Sequence, residues 1–500
     1  MKNIYTENNY NKFSIYTLGC KTNQSESDFI TRALTEKGFR LVDTPAADFS
    51  DFIIINTCTV TSAADKKVRQ LIRRIRNGSP NAKLLVTGCY AVFNKKFLIN
   101  NDVDFVVSNK EKFKIQDLIF KIAKVEKKSF NISQEGEIIP EIPQKYLNGG
   151  LNNKEKCKSE SQHDYFFHSR ALLKIQDGCE QECSYCIVPL VRGPYISAHS
   201  EKIINEIKSL VGMGHEEIVI TGIHIGKYGI DFNKSINNFQ KSPNRKGKSK
   251  GRNLNKPDAE VDNLTALLAE ILNRTSLKRI RLSSVEINEI DKDLINLISI
   301  SRGRIARHLH IPLQSGSSRI LKLMNRNYTR EYFLNVIKDI KDLIPEVTFT
   351  TDIIVGFPGE TESDFLDTVD IVNEVKFSKI HVFKYSKRSG TEAALLGNQV
   401  SEIEKSERSS RLRKLADQLR IKFILKNIHH CLDVVCEEIV NGNKKIKNND
   451  KDTRTICGTS ENYIKVYFEA SSGDFKRLRG KIVKVMIESQ YRAGLSGKLY

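Results

Sequence analysis

This 500-residue sequence contains no tryptophan, and it lacks the sequence features of membrane-spanning and secreted proteins. No run of about 18 apolar residues occurs in it, so the sequence predicts no membrane-spanning helix. Its first residues, MKNIYTENNYNKF, lack the apolar stretch of a secretory signal. We therefore expect a cytoplasmic protein without a membrane partner, whose ten cysteines stay reduced and serve as ligands or core residues rather than disulfides.

The charge balance is strongly positive, with 80 Lys and Arg against 60 Asp and Glu and a formal net charge of +20. A field of this sign favours a polyanion such as nucleic acid, or an anionic membrane surface. A Lys-rich solvated surface gives the same composition, and the 16 Tyr and 24 Phe are too scattered to decide. Charge alone leaves nucleic-acid binding open.

Alternating strand and helix patterns indicate an α/β fold class for most of the chain. Residues 11–125 carry continuous apolar runs such as DFIIINTC, which are typical of parallel strands buried on both faces. Residues 166–400 alternate again and contain six strand-like runs, which predict a full or partial α/β barrel. Residues 126–165, rich in Lys, Glu and Asn, have the composition of a linker.

The rest of the chain shows three further patterns. Residues 401–429 predict one long charged helix, and 430–500 are β-patterned, which predicts a small terminal β-barrel. A basic insertion at 233–260 interrupts the central region, and its core at 234–256 has eight Lys or Arg and no acidic residue. Such a segment is either a solvated loop or an additional RNA contact.

The segment GCEQECSYCIVP places three cysteines within eight residues, and we call Cys179, Cys183 and Cys186 the loop cysteines. They follow a predicted strand directly, so they would lie at the mouth of the barrel. A structural zinc site normally takes four protein ligands. Three thiolates on a cubic [4Fe–4S] cluster instead leave one iron open to a small substrate. A structural zinc site or unrelated cysteines are the alternatives.

Three other cysteines share a rule of position: Cys20, Cys58 and Cys89, the edge cysteines, each follow a predicted strand within one or two residues. In a parallel sheet these positions meet at one edge, where such folds place their sites. We expect a second [4Fe–4S] cluster with an open iron; three ordinary buried cysteines are the alternative. Asn56 and Thr57 would position the turn or hydrogen-bond the sulfurs, which tunes a cluster's potential.

The four remaining cysteines carry no such pattern. Cys157 lies in the predicted linker. Cys431, Cys436 and Cys457 fall in β-patterned segments, where a small buried side chain is the default expectation.

Taken together, these motifs resemble the methylthiotransferases, radical S-adenosylmethionine (SAM) enzymes with two clusters, over nearly the whole chain. The flanks CSYCIVP match the radical SAM superfamily. The segments NTCTVTSAADKKVRQLIRR, TGCYA, TGIHIGKYGID and YSKRSGTEAA resemble the branch that modifies N6-threonylcarbamoyladenosine (t6A) in tRNA. The resemblance implies a small N-terminal cluster domain, a partial radical SAM barrel and a C-terminal β-barrel of the TRAM type.

The resemblance also implies a mechanism. SAM binds the open iron held by the loop cysteines, and one electron releases a 5′-deoxyadenosyl radical from it. The radical removes hydrogen from C2 of t6A at position 37 in the anticodon loop, and sulfur carried on the cluster of the edge cysteines attacks that carbon. A second SAM supplies the methyl group. The partners implied are tRNA, an electron donor such as flavodoxin or ferredoxin, and a sulfur donor; no catalytic side chain beyond the cluster ligands is implied.

Weaker candidates for contacts with SAM or the base lie in the cysteine loop and at predicted strand ends. They are Tyr185, Thr221, Gly222, Ser283, Gln314 and Asp352. A structural role is an equal alternative for each, and the GFPGE turn could simply need glycine at positive φ. Two segments depart from the family: TGIHIG lacks the usual Gly-Gly-Glu, and PYIS after VRG replaces a more basic stretch, which puts one RNA contact in doubt.

Three other functions remain open from the sequence. The same chemistry could act on N6-isopentenyladenosine in tRNA or on a ribosomal protein. A non-catalytic RNA-binding protein with structural zinc would also carry clustered cysteines. Finally, the second cluster could relay electrons without transferring sulfur. Metal content and modified nucleosides separate these possibilities.

Overall fold

The computed structural model describes six stretches of the chain, which are residues 11–42, 50–101, 103–125, 170–232, 263–440 and 453–500. Cys157, the predicted linker 126–165 and the basic insertion 233–260 lie outside them. The described residues form two compact units, one up to residue 125 and the other from residue 170. Within the described residues, no helix combines the length and hydropathy needed to cross a membrane.

The first unit contains a five-stranded, entirely parallel sheet in the order β2-β1-β3-β4-β5. Its strands are β1 (Lys12–Thr17), β2 (Arg40–Leu41), β3 (Phe52–Thr57), β4 (Lys83–Gly88) and β5 (Phe105–Val107). Its helices are α1 (Lys21–Glu36), α2 (Ser62–Gly78), α3 (Cys89–Phe93), α4 (Lys95–Ile99) and α5 (Ile115–Val125). This confirms the predicted parallel α/β fold.

The central strand β3 is buried on both faces because helices cover both sides of the sheet. Ile53 and Ile55 pack in a core with Val68 of α2. Ile54, which points the other way, packs in a second core with Ile30 of α1. This arrangement explains the continuous apolar run FIIINT, since a half-exposed strand would alternate with polar residues.

The second unit begins with six parallel strands, and all six predicted runs form one. They are β6 (Ala171–Asp177), β8 (Glu217–Gly222), β9 (Arg279–Leu282), β10 (His308–His310), β11 (Thr348–Val355) and β12 (Lys379–Lys384). They form the ladders β6-β8-β9 and β10-β11-β12, linked by a parallel bridge between Ser284 and His310. Among the described residues nothing pairs β12 back to β6, so the barrel is partial.

Helices lie between these strands in the chain, as in other α/β barrels. They are α6 (Val188–Arg192), α7 (Ser200–Gly212), α8 (Leu264–Arg274), α9 (Lys292–Ile300), α10 (Ser318–Leu323), α11 (Arg330–Leu343) and α12 (Glu362–Val375). The short strand β7 (Ile196–Ser197) pairs antiparallel with β6. The GFPGE turn after β11 has positive φ at Gly356 and Gly359, so it does require glycine there.

A long helix, α13 (Glu402–Leu425), leads from the barrel to the C-terminal domain. Ser401 and Glu404 form a capping box at its start. A closed barrel follows, with order β13-β14-β15-β17-β16, and one helix, α14 (Ser472–Leu478). Its strands are β13 (Cys431–Ile439), β14 (Thr453–Ser460), β15 (Lys465–Ser471), β16 (Ile482–Tyr491) and β17 (Gly494–Leu499). The predicted long helix and terminal β-barrel are thus confirmed.

The C-terminal barrel packs on the amino-terminal ends of the α/β-barrel strands. The fully buried Arg281 of β9 donates to the backbone carbonyls of Ser460 (2.9 Å) and Glu461 (3.1 Å) in the β14–β15 turn. In the same turn, the Tyr463 ring stacks on His308, with 4.4 Å between the ring centroids. The carboxylate of Glu217, at the start of β8, pairs with Arg281 (2.9 Å) at this end of the barrel.

One expectation for the last domain is wrong. Cys436 and Cys457 are buried as predicted, but Cys431 is exposed because it begins β13 at the margin of the barrel. The alternation of apolar and polar residues predicts which face of the sheet a residue occupies. It does not show that the first residue of a strand lies outside the core.

Candidate metal centres

The three edge cysteines lie at one edge of the first sheet, where its strands end. Cys20 is the N-cap of α1, Cys58 directly follows β3, and Cys89 begins α3 directly after β4. Thr57 pairs with Gly88, so the next residues, Cys58 and Cys89, occupy equivalent positions on neighbouring strands. The backbone N–H of Leu18, just before the Cys20 turn, donates to the carbonyl of Asn56 (2.8 Å).

Two glycines hold these turns close together. A Cβ on Gly19 would lie 3.1 Å from the Cβ of Cys58, so the Cys20 turn passes directly beside Cys58. Gly88 has φ +95°, and a Cβ there would collide with the carbonyl oxygen of Thr57. A larger residue at Gly88 would push Cys89 away from Cys58, which explains why glycine precedes Cys89 in the segment TGC.

Behind the edge cysteines lies a buried polar network. The Oδ1 of Asn23 lies 3.3 Å from both the backbone N and the Sγ of Cys20. The Nδ2 of Asn23 donates to Asn56 (3.0 Å), and Asn56 donates in turn to the carbonyl of Asn23 (2.9 Å). Asn56 therefore positions the Cys20 turn through Asn23, which is one of the two roles predicted for Asn56. On the other side, Asn109 Nδ2 lies 3.9 Å from Cys89 Sγ.

The loop cysteines follow β6, at the carboxyl-terminal end of the barrel, in a tightly bonded loop. The backbone N–H of Cys179 donates to Gly193 (2.9 Å), and that of Cys186 donates to Cys183 (2.9 Å). Gly178 has φ +73°, and a Cβ there would collide with the carbonyl of the residue after Gly193. The loop thus folds back on its own flanks and turns its thiols to one side.

The loop cysteines lie close enough for their thiols to affect one another's ionisation. Burial, with smaller contributions from charges on Cys183 and Cys179, raises the pKa of Cys186 to about 12. Thiols in this position ionise together only when a cation compensates them. Three soft sulfur ligands in one loop therefore fit a [4Fe–4S] cluster, which provides several positively charged irons. Across the described residues no three such side chains are close enough to share a single metal ion, whereas a cubic cluster takes one thiolate on each of three irons.

Two of the loop cysteines have side-chain partners that the sequence did not indicate. Cys179 Sγ lies 3.6 Å from Nδ1 of His224, whose Nε2 lies 2.7 Å from Oε1 of Glu289. Cys183 Sγ lies 3.2 Å from Nη1 of Arg326. His224 belongs to the TGIHIG segment, which was singled out for its glycines rather than for its histidine. Arg326 is 143 residues from Cys183 in sequence, so no local pattern pointed to it.

The weaker candidate residues lie near strand ends of the barrel, and the structure gives each a local setting. Tyr185 packs against the buried residues around Phe357. Thr221 and Gly222 end β8 beside β6, where Gly222 pairs with Gln176. Ser283 is buried, and its hydroxyl has no hydrogen-bond partner in the described part of the chain.

Gln314 and Asp352 meet beside strand β11. Gln314 has φ +63°, and its backbone N–H donates to the carbonyl of Asp352 (2.9 Å). The Asp352 carboxylate lies between two histidines, with 3.3 Å to Nε2 of His310 and 3.3 Å to Nδ1 of His381. His310 Nδ1 lies 2.9 Å from the hydroxyl of Thr350. Asp352 therefore orients two imidazoles, neither of which had been selected from the sequence.

A groove of about 690 Å³ runs along α13 beside the end of β12. Three of its lining residues are cationic, namely Lys384, Arg413 and Lys414, and one, Asp417, is acidic. Serine hydroxyls and further side chains complete it, from Ser406, Ser409, Ser410, Gln418 and Ile421. Cations and hydroxyls in a groove of this kind suit a phosphate backbone.

Family models match both units of the chain. The model described as "Uncharacterized protein family UPF0004" matches residues 12–108, and that of the radical SAM superfamily matches residues 173–372. One solved structure, the radical SAM methyltransferase TsrM from Kitasatospora setae with cobalamin and a [4Fe–4S] cluster, has a TM-score of 0.50 at 15% identity and covers 77% of each chain. That likeness concerns the fold alone.

Curated relatives match nearly the full length. The threonylcarbamoyladenosine tRNA methylthiotransferase MtaB of Bacillus subtilis is 36% identical over 95% of this chain and 93% of its own length. The MtaB of Thermotoga maritima is 33% identical over 93% and 94%. A tRNA-2-methylthio-N6-dimethylallyladenosine synthase of Lachnoclostridium phytofermentans is 32% identical over 95% and 92%. The chain therefore belongs to the radical SAM tRNA methylthiotransferases of the MtaB type, transferases that use SAM and iron–sulfur chemistry.

Proposed function

We propose that this enzyme attaches a methylthio group to C2 of t6A at position 37 of tRNA, using two [4Fe–4S] clusters. The observation that carries the proposal is the recurrence of three cysteines, rather than four, where the strands of each unit end. A set of three leaves one iron of each cluster without a protein ligand, so each site keeps a position for a reactant.

The two sets of cysteines have different roles in this proposal. The loop cysteines would hold the cluster that binds SAM, and that cluster would pass one electron to SAM, the source of a radical able to attack an inert purine C–H bond. The edge cysteines would hold the cluster that carries the transferred sulfur. Within the first unit, Asn23 fixes the position of Cys20, and Asn56 fixes Asn23. Within the second unit, His224 and Arg326 contact the sulfurs of Cys179 and Cys183.

Support for t6A comes from the names of relatives and from the motifs, and it is less decisive than support for the chemistry. The MtaB relatives are 33–36% identical, while relatives named as dimethylallyladenosine synthases are 31–33% identical. The difference in identity is small, so the substrate has to be determined directly. The C-terminal barrel and the α13 groove would bind tRNA phosphates, leaving the unstacked base of the anticodon loop for the site.

Two further partners follow from the balance of this reaction. An external reductant such as flavodoxin or ferredoxin must supply electrons, and a sulfur donor must replace the sulfur that leaves with each product. Because tRNA is the substrate, we place the enzyme in the cytoplasm. None of the weaker candidates is needed as an acid or base in this scheme, and we propose that they bind SAM or the base. They are Tyr185, Thr221, Gly222, Ser283, Gln314 and Asp352.

The test is mass spectrometry of nucleosides from tRNA of a strain with and without this gene. Loss of 2-methylthio-t6A with accumulation of t6A supports the proposal. Loss of 2-methylthio-isopentenyladenosine instead would support methylthiolation of tRNA but would reject t6A as the substrate. If no tRNA nucleoside changes, the ribosomal protein is the next substrate to examine.

Assays of SAM cleavage and sulfur transfer by variant enzymes separate the roles of the two cysteine sets. A chain in which the edge cysteines are replaced by serine should still cleave SAM but transfer no sulfur. A chain in which the loop cysteines are replaced should do neither. If the edge variant still forms the product, the edge cysteines do not hold the transferred sulfur. About eight iron per purified chain fits two clusters, whereas one or two zinc would indicate the non-catalytic alternative.

A further inference from the structure

The loop that carries Cys183 is held by one turn of the barrel, residues 323–326. The backbone N–H of Ser184 donates to the carbonyl of Met324 (3.1 Å), and its hydroxyl donates to that of Leu323 (2.7 Å). The side chain of Asn325, at positive φ, donates to the carbonyl of Glu182 (2.7 Å). These bonds fix the turn against the cysteine loop on both sides of Cys183, so the next residue of the turn has a defined position.

That next residue is Arg326, and its charge is almost completely enclosed. Its side chain is 4% exposed, with Nη1 3.2 Å from Cys183 Sγ. Nη2 contacts the carboxylate of Glu286, and the guanidinium lies 5.1 Å from the ring centroid of Tyr328. Because a guanidinium is planar and donates in fixed directions, Glu286 and Tyr328 set the direction in which Nη1 points.

A fixed cation beside a ligand sulfur has a definite effect on a redox centre. Reduction of a cluster adds one electron, and with it one negative charge, to the iron and sulfur atoms. A neighbouring positive charge stabilises the reduced form more than the oxidised form, and the effect is large where water is excluded. A hydrogen bond to a ligand sulfur acts in the same direction.

We propose that Arg326 is a positioning residue that holds the Cys183 sulfur and raises the reduction potential of the cluster bound by the loop cysteines. This inference rests on the proposed function, because it requires a cluster there. The step is a one-electron reduction by the external reductant, with no proton transferred and no bond made or broken. Its consequence is that a weaker reductant can prime the enzyme before SAM is cleaved.

The experiment measures the potential of that cluster by itself. The full chain with all three edge cysteines replaced by alanine is reconstituted, and the cluster is titrated electrochemically with detection by electron paramagnetic resonance. Arg326→Gln is expected to make reduction about tenfold less favourable, a shift of about 59 mV to lower potential for one electron. Arg326→Lys keeps the charge and should recover part of this shift. Arg319→Gln is the matched control, because Arg319 is 52% exposed and pairs with Asp364.

A change at Glu286 distinguishes an electrostatic effect from a structural one. Glu286→Gln keeps an oxygen that can accept from Arg326 but removes a negative charge, so the potential should rise. A purely structural role predicts that both variants disturb the cluster in the same direction. The inference is wrong if Arg326→Gln binds a full cluster at the parent potential, or if it binds none and Glu286→Gln leaves the potential unchanged. If the parent chain itself binds no cluster at the loop cysteines, the proposed function fails as well.

Discussion

Lys112 Nζ lies 2.6 Å from Oε2 of Glu26, and both side chains are fully buried. This ion pair lies beneath the polar network of the edge cysteines, since Asn56 Nδ2 is 3.5 Å from the same Glu26 oxygen. Two charges removed from water in this way depend on each other, because either one alone would be an uncompensated buried charge. The pair therefore links the stability of the first unit to the geometry of its candidate metal site.

We expect Lys112→Met to lower the free energy of unfolding by about 3 kcal/mol or more, because it leaves Glu26 unpaired. The double variant Lys112→Met with Glu26→Leu should recover much of that loss, since no buried charge remains. Denaturant unfolding followed by circular dichroism measures both. Lys37→Met is the matched control: its pair with Asp117 is partly exposed, so it should cost below about 1 kcal/mol. A double variant as unstable as the single one would contradict this account.

Gly88→Ala should remove the cluster of the edge cysteines and spare the other. The new Cβ collides with the Thr57 carbonyl, so β4 and Cys89 must shift away from β3. Iron per chain should fall from about eight to about four, as one of two cubic clusters is lost. Gly38→Ala is a control with the same strain, because Gly38 also has positive φ (+88°) but nothing lies within 4 Å of a Cβ placed there. Equal iron loss in both variants would show that strain, rather than the collision, is responsible.

Acid should weaken the second unit through Glu217. Burial acts to raise the pKa of this carboxyl, but the charges of Arg281 and Arg279 outweigh it and lower the pKa to about 2 from 4.5. The folded carboxyl is the stronger acid, so its contribution is present above about pH 4.5 and is lost as the pH falls toward 2. Linkage gives a contribution of about 3 kcal/mol at neutral pH.

Glu217→Gln should therefore lower stability at pH 7 by about 3 kcal/mol and make it less dependent on pH between about 5 and 3. Unfolding midpoints across that pH range measure both effects. Glu201→Gln serves as control, because its pair with Arg274 is at the surface and should contribute little to stability. The explanation fails if Glu217→Gln loses as much stability on acidification as the parent.

The α13 groove should contribute to tRNA affinity in a salt-dependent way. Lys414→Glu with Arg413→Gln is expected to weaken binding about tenfold and to reduce the slope of log affinity against log salt by about 1 to 2, since about one counterion is released per phosphate contact. Fluorescence anisotropy with unmodified tRNA at several salt concentrations measures this. Lys422→Glu on the same helix but outside the groove is the control. An unchanged slope would exclude the groove from the interface.

The strands of both units could be predicted because burial on both faces leaves a continuous apolar run. FIIINT and EIVITG each form a strand, and the apolar residues at the centre of each are buried. The two-residue strands Arg40–Leu41 and Ile196–Ser197 were not predicted, because two residues are too short for any period. The cysteine positions followed from the same rule, as a residue after a parallel strand must lie at the sheet edge.

The partners of those cysteines could not be predicted in the same way. The contact between Arg326 and Cys183 joins residues on different elements, and the sequence around neither residue predicts it. Asp352 was selected because it lies near a strand end, but the histidines beside it come from two other strands. The three side chains come together because of the register of β10, β11 and β12. That register is set by strand pairing and cannot be deduced from composition.

The docking of the C-terminal barrel has a consequence for the size of the substrate. That barrel covers the amino-terminal ends of the strands, whereas the loop cysteines follow a strand at the opposite end. A strand of six or seven residues spans about 20 Å. An RNA held by the C-terminal domain must reach past the flank of the barrel to present its base at the other end. The proposed tRNA substrate would therefore contact the barrel over about 20 Å, and an RNA fragment too short to span that distance should not be modified.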